Sequence, residues 1–550
     1  MSKKFIILTS LILVLAIIFT GCSSPSNEGK DPAGNNQTAG GKKILRSNNS
    51  SEPGSLDPAL AQGTHESWIL ENVFEGLMTF DENGELVPGM AESYEISEDG
   101  LTYTFKIRDG VTWSNGDPVT AEDFEYTWKR ALDPELAADY AHILYYIKGA
   151  QAYNSGEGSR DDVAVKALDE KTLEVTLEAP TAYFLELTAF YTYFPVNKNV
   201  VESNPDWAKD PETHVSNGPF KLVRWDHNAK IVLEKNESYY NADKIKLDGI
   251  ELDIIEDQNT AWQKYEGGEY HILVDVPTSV VAQLKAQNDP QLNIGNQIGT
   301  YYYNVNPDVK PFNNAKVRQA LSMAIDCETI TENITQGGQI PAEGVVPYGL
   351  KDENGNEFRD GVGSLVEYDP DKAKQLFEEG LAEEGMTLEE FNSGQFVILY
   401  NTSESHKKIA QAIQEMWRTA LGIEIGLENV EFQVKLDREK AGDYQISRGG
   451  WIGDYMDPMT ILDLWWSESA FNDVKYNNEE YDKLIAESKA TDDQNIRMEN
   501  LRNAEKMIME DMAVIPIYFY TQPYVVKENV SGITYVPVRY PMITYADIAE

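Results

Sequence analysis

The chain is poor in the residues on which most enzyme chemistry relies. It holds 2 cysteines and 6 histidines in 550 residues, a supply that argues against a structural zinc site, which draws four ligands mostly from those two types. No glycine-rich phosphate loop, no His-x-x-x-His pair and no Gly-x-Ser-x-Gly turn occurs, so the usual signatures of nucleotide enzymes, zinc hydrolases and serine hydrolases are missing. Cations are scarce as well: 46 Lys and Arg stand against 91 Asp and Glu, a formal net charge of −45. Nucleic-acid binding needs clustered cations facing phosphate, and that class is set aside. Acidity on this scale describes a soluble, self-repelling surface and leaves open a preference for cationic ligands. Aromatic residues are plentiful, with 30 Tyr and 10 Trp. Such side chains join a broad apolar face to a polar handle and are enriched where a protein grips something.

The N-terminus reads as an export signal. Lys3 and Lys4 precede an apolar run from Phe5 to Phe19, interrupted only by Thr9 and Ser10, and the run ends at Phe19-Thr20-Gly21-Cys22. A membrane-spanning helix normally takes about 20 apolar residues; a charged start, a shorter run and small residues at its end mark a cleavable signal over residues 1–21. The last four residues resemble a lipobox, with Phe19 where Leu is usual, and the resemblance implies cleavage before Cys22 and lipid on its thiol. Cys327 would then be the one cysteine left, which rules out an internal disulfide and marks it as a small buried side chain. Residues 22–43 form the expected tether: beyond Cys22 they are Ser, Asn, Gly, Pro and charge, with little to bury against the entropy of ordering. The remaining length exceeds what one core usually serves, and two or three folding units are expected.

From Ile44 onward the periodicity is that of a mixed α/β protein. Leu101 to Ile107 and Leu173 to Leu177 alternate as strands do, and Trp113 to Pro118 carries strong turn residues. Thr120 followed by Ala121-Glu122-Asp123 predicts a capped helix through Phe124, Tyr126, Trp128 and Ala131. Further helices are predicted at Val317 to Ile325, Ala373 to Leu381, Lys407 to Leu421 and Glu480 to Ala490. Further strands are predicted at Ile231 to Glu234, Gln395 to Tyr400, Ile423 to Leu427 and Val514 to Tyr520.

Several stretches, in order along nearly the whole chain after the tether, resemble the peptide- and nickel-binding solute receptors, most closely their oligopeptide-binding members. They include Ser55-Leu56-Asp57-Pro58, Phe74-Glu75-Gly76-Leu77, Pro88-Gly89-Met90-Ala91-Glu92, Asn217-Gly218-Pro219-Phe220, Tyr301-Tyr302-Tyr303, Val317-Arg318-Gln319-Ala320, Asn401-Thr402-Ser403 with His406, and Gly450-Trp451 before Asp454-Tyr455. The resemblance implies a two-lobed α/β periplasmic-binding-protein-like fold of the class II type, with an additional inserted subdomain, a hinge of crossing strands and a ligand enclosed between the lobes. The expected boundaries are a discontinuous first lobe at 44–74, 201–299 and 522–550, an inserted subdomain at 75–200 and a second lobe at 300–521. It implies a non-enzymatic, monomeric lipoprotein on the outer face of the cell membrane, without cofactor or metal, that delivers oligopeptides to the permease and ATPase subunits of an ABC importer. A peptide-pheromone or signalling receptor, or a relative binding another amine-containing solute, is the alternative.

A receptor for many peptides must recognise what peptides share: a backbone, an ammonium and a carboxylate. Arg448-Gly449-Gly450-Trp451-Ile452-Gly453-Asp454 suits that task, with glycines such as Gly450 allowing close approach, Trp451 as an apolar wall and Asp454 as a partner for an ammonium. The resemblance puts Asp454 at the peptide's N-terminus, and Arg448, His406 and Tyr140 at its carboxylate, the imidazole acting as a cation or through water. A further family arginine falls on Glu439, with Arg438 one residue away. Gln62 stands where the family often has glutamate and Phe432 where it often has tryptophan. Tyr301 to Tyr303 should alternate along a strand, so that a residue such as Tyr302 faces the cleft while a neighbour packs inside.

Overall fold

The protein is described by a computed structural model over residues 41–549. The signal segment, Cys22 and all but the last residues of the tether lie outside the described residues. Among the described residues, no helix is long and apolar enough to cross a membrane.

Three sheets carry the architecture. In the first, Ile44–Asn48 pairs in parallel with Gly249–Asp253, and Lys230–Lys235 and Phe220–Asp226 follow antiparallel. Ile44 thus meets Gly249 across some 200 residues of sequence, so the chain leaves this sheet and returns to it. The second sheet lies in that excursion: Ala91–Ile96, Thr102–Ile107, Thr172–Thr176 and Val165–Asp169, all antiparallel in that order. The helix Ala121–Ala131 packs on it, opened by a capping box in which Asp123 Oδ2 accepts from the Thr120 backbone N–H at 2.9 Å.

The third sheet has seven strands, in the order Ile272–Leu273, Val514–Val526, Leu292–Val305, Ile446–Ile452, Val397–Asn401 and Gly426–Val430, with Ile340–Pro341 also on Val514–Val526. Its centre is an antiparallel pair of unusual length, registered from Leu292↔Val525 to Asn304↔Val514 with irregularities between. The strand predicted to stop at Tyr520 therefore runs on to Val526, carried through Pro523 because that residue sits opposite Ile294 beside a disrupted stretch of the ladder. The strand predicted from Ile423 begins later, at Gly426: Ile423 and Ile425 instead fill the core just after the helix Glu404–Leu421.

The predicted helices are all present, each slightly longer or shifted at its ends. Glu404–Leu421 buries Ile409, Ala410, Ile413 and Trp417 on one face, and Gly422 closes it at φ 71°. Ser403 caps its start by accepting from the His406 backbone N–H at 3.3 Å, which holds His406 in the first turn. Deep in the core, Arg359 and Glu505 form a two-pronged ion pair at 2.5 and 2.7 Å, and the same carboxylate accepts the Val345 and Val346 N–H groups. Cys327 is buried, and burial pushes its thiol up to about 12, so it serves packing.

Candidate functional site

A cavity of about 350 Å³ lies beside the long central strands, and all nine sequence-predicted binding residues line it. Its floor is Ile446–Ile452, whose register with Leu292–Val305 sets Arg448 opposite Tyr303, Gly449 opposite Tyr302 and Gly450 opposite Tyr301. Alternation separates the tyrosines: Tyr302 lines the cavity, while Tyr301 and Tyr303 lie on the other side of their strand, wholly buried, with the Tyr301 ring beneath the Arg448 guanidinium. The glycines also make room within the protein. A Cβ on Gly450 would strike the Tyr520 hydroxyl and one on Gly449 the Tyr302 ring, so the missing side chains admit neighbouring tyrosines.

At one part of the cavity stands a cation with no anion. Arg448 Nη2 donates to Tyr520 Oη at 2.7 Å, the guanidinium lies 4.7 Å from the centre of the Tyr301 ring, and its buried Nε has no partner. No carboxylate pairs with it among the described residues, although a desolvated guanidinium is costly to leave alone. His406 Nδ1 is 3.3 Å from Tyr301 Oη. Burial, then Arg448 and Lys435, hold this imidazole well below its usual range, so it is neutral; of the two expected modes, cation or contact through water, the cation is disfavoured. Sequence reasoning missed His65, which also lines the cavity with neither ring nitrogen bonded among the described residues. Burial and then Arg448 push it down to about 4, and its ring meets Phe432 edge-on at 5.2 Å. Its place three residues after Gln62, at the start of Thr64–Val73, was the available signal.

Elsewhere in the cavity stands a carboxyl with no cation. Asp454 follows the floor strand, its backbone N–H fixed on Thr460 Oγ1 at 2.8 Å. Burial, then the nearby Asp463, hold its carboxyl well above the usual range, against one hydrogen bond from Tyr140 Oη at 3.3 Å. Asp463 has its own cation, Lys489 at 3.5 Å. Asp454 does not cap the following helix, Met459–Leu462, whose N-cap is Pro458; Asp457 accepts from the Met459 N–H at 2.9 Å and pairs with Arg497 at 2.6 Å. Tyr140, expected at the peptide's carboxylate, donates its hydroxyl to Asp454 in this structure, and its ring packs against Phe471 at 4.6 Å and Trp451 at 6.1 Å. Trp451 Nε1 is buried without a partner.

The sequence leaves open whether Arg438 could stand in for the family arginine. Arg438 lies off the cavity, bound to Glu428 at 2.8 Å, whereas Glu439 lines it, 2% exposed and paired with Lys435 at 2.5 Å. The helix Phe432–Ala441 turns its Lys435 and Glu439 stripe inward, which leaves Arg438 on the outer side.

Contacts reach across the cavity from the segment around 139–191 to that around 440–497. Besides Tyr140 with Asp454, Tyr146 Oη lies 3.2 Å from Tyr455 Oη, the Met456 N–H donates to Glu186 at 3.2 Å, and Lys440 pairs with Asp139. This is a site between opposed walls, with an unmatched guanidinium and an unmatched carboxyl. The model of the bacterial extracellular solute-binding proteins, family 5 middle, matches residues 85–473. The chain belongs to this family. Its members bind solutes and are not enzymes.

Among curated relatives, the oligopeptide-binding protein OppA of Bacillus subtilis is 42% identical over 97% of both chains, and the dipeptide-binding protein DppE of the same organism 39% identical over 98% of both. Among solved structures, Haemophilus influenzae OppA in complex with RPPGFSPFR superposes with a TM-score of 0.86 at 32% identity, covering 93% of this chain and all of that one. The pheromone receptor PrgZ also superposes at 0.86, with 27% identity over 92% of this chain and all of that one. The unliganded open form of MppA, a murein tripeptide binding protein, reaches only 0.60 at 32% identity, covering 92% of this chain and 98% of that one. The fold is thus the two-lobed binding-protein fold, and its lobes stand as in the peptide complex more than as in the open form.

Proposed function

We propose that this chain captures short peptides in the cavity, with the ammonium on Asp454 and the carboxylate towards Arg448, and delivers them to an ABC importer. The observation that carries the reading is the pair of unmatched ionisable groups in one cavity, the Arg448 guanidinium without a carboxylate and the Asp454 carboxyl without a cation. A free peptide brings the complement of each, and both charges can then be held away from water. Between them the Ile446–Ile452 floor, Trp451 and Tyr302 offer a wall that requires no particular side chain. Gln62 and Phe432 widen that wall without adding charge. Closure is favoured because the ligand touches both sides at once.

In this reading residues 1–21 are removed, Cys22 is lipidated and 22–43 tether a monomer to the outer face of the membrane. The first lobe comprises 44–74, 201–299 and 522–550, the inserted subdomain 75–200 and the second lobe 300–521. The direct test is mass spectrometry of what is released on denaturing the purified protein, followed by calorimetry with those peptides. Recovery of peptides with free termini is expected; recovery of a non-peptide solute, or no binding of any tri- to pentapeptide, refutes it. A second reading, a peptide-pheromone receptor, is favoured by the likeness to PrgZ. A single dominant sequence among the released peptides would select it.

A further inference from the structure

One carboxylate in the cavity wall is left over by the arrangement above. Asp473 lines the cavity; its carbonyl accepts from Tyr444 Oη at 2.8 Å, but its carboxylate has no hydrogen-bond or ion-pair partner among the described residues. The cations around it are engaged. Lys435 is bound to Glu439, Lys440 to Asp139 across the cavity, and Lys475 lies nearest Asp308 at 3.6 Å. A second, independent feature points to the same place. Tyr302 is 7% exposed, yet its hydroxyl lines the cavity with no hydrogen-bond partner among the described residues, within electrostatic reach of Asp473 and Glu439. The hydroxyl of a buried tyrosine and a part-buried carboxylate, both without a partner and both lining the same cavity, await a donor that the protein does not supply.

We propose that Asp473, with the Tyr302 hydroxyl, forms a subsite for the ammonium or guanidinium of a basic side chain on the bound peptide. The inference rests on the peptide reading and adds a preference to it. An ammonium would donate to the Asp473 carboxylate and the Tyr302 oxygen, leaving Glu439 on Lys435. Burial, and after it Glu439, push the Asp473 carboxyl up to about 7 against the opposing pull of Lys435 and Lys440, with Asp139 adding to the rise. Below that pH the carboxyl carries a proton that the incoming cation must displace. Preference for a basic residue therefore grows as pH rises through about 7 and fades below it.

The test is calorimetry on two tetrapeptides that differ at one internal position, lysine against norleucine, which has the same chain without the charge. At pH 8 the lysine peptide should bind about tenfold or more tighter, as a desolvated charge pair is expected to give. At pH 6 that ratio should fall by about tenfold, with close to one extra proton released per lysine peptide bound, as linkage to a group titrating near 7 requires. Asp473→Asn should bring the ratio near one at both pH values. A ratio that stays near one in the unaltered protein, or an equal preference in the variant, removes the subsite. The pH dependence and proton release are read on the unaltered protein, so they decide the matter even if the variant does not fold. Failure of both peptides to bind would instead overturn the peptide reading, and the subsite with it.

Discussion

Replacing Asp454 by Asn tests the polarity of the cavity with the least disturbance of shape. Asparagine preserves the backbone N–H bond to Thr460 and an oxygen for the Tyr140 hydroxyl, so what is lost is the charge. In the unaltered protein that charge is expensive: burial and Asp463 hold the carboxyl well above its usual range, and an arriving ammonium takes the place of the proton. Removing one partner of a buried charge pair costs about 2–4 kcal/mol, roughly 30- to 900-fold in Kd. A free-amine peptide should lose that much in calorimetry, whereas its N-acetylated twin, which cannot form the pair, should hardly change. The comparison is a double-mutant cycle across protein and ligand. Stability supplies an opposite sign. Because the folded pKa is raised, the group's contribution to folding is full below the ordinary carboxylate range and is lost as pH rises through the raised value. Asp454→Asn has no such loss, so without peptide it should unfold at a higher temperature than the unaltered protein at neutral pH. Equal losses for both peptides, or a variant less stable by itself, would show that Asp454 supports the fold and would refute the assignment.

C-terminal amidation should cost less affinity than N-terminal acetylation, because Arg448 stands with two neutral imidazoles and Glu439 occupies the place of a second arginine; equal costs in calorimetry would mean that Lys435 leaves Glu439 to complete a clamp. Arg359→Ala should destabilise the fold by about 3–5 kcal/mol in urea unfolding, since it strands the Glu505 carboxylate in the core; a loss under about 1 kcal/mol would show the pair to be dispensable. Cys22→Ser should move the protein from the membrane fraction to the soluble one, as anchoring takes at least two acyl chains; retention in the membrane would refute the lipobox reading.

Local features were legible in the sequence wherever short-range physics decides them. Thr120 with Asp123 announced the helix Ala121–Ala131, alternation announced Thr102–Ile107, and the run Arg448 to Asp454 carried both an arginine and an aspartate suited to a peptide's ends. The order of family motifs pointed to the two-lobed fold before any contact was known. What the sequence could not decide were the outcomes of contacts between distant segments. Which tyrosine of 301–303 faces the cavity depends on register with Ile446–Ile452, and a shift of one residue would exchange them. Arg438 and Glu439 are adjacent in sequence, yet the angular step of a helix sends one outward to Glu428 and the other inward to Lys435. The neutrality of His406 and His65 and the raised carboxyls of Asp454 and Asp473 arise from desolvation and from charges brought close by folding. Residue types are written in the chain, but protonation and pairing belong to the closed cavity, because both depend on distances that only the tertiary structure sets.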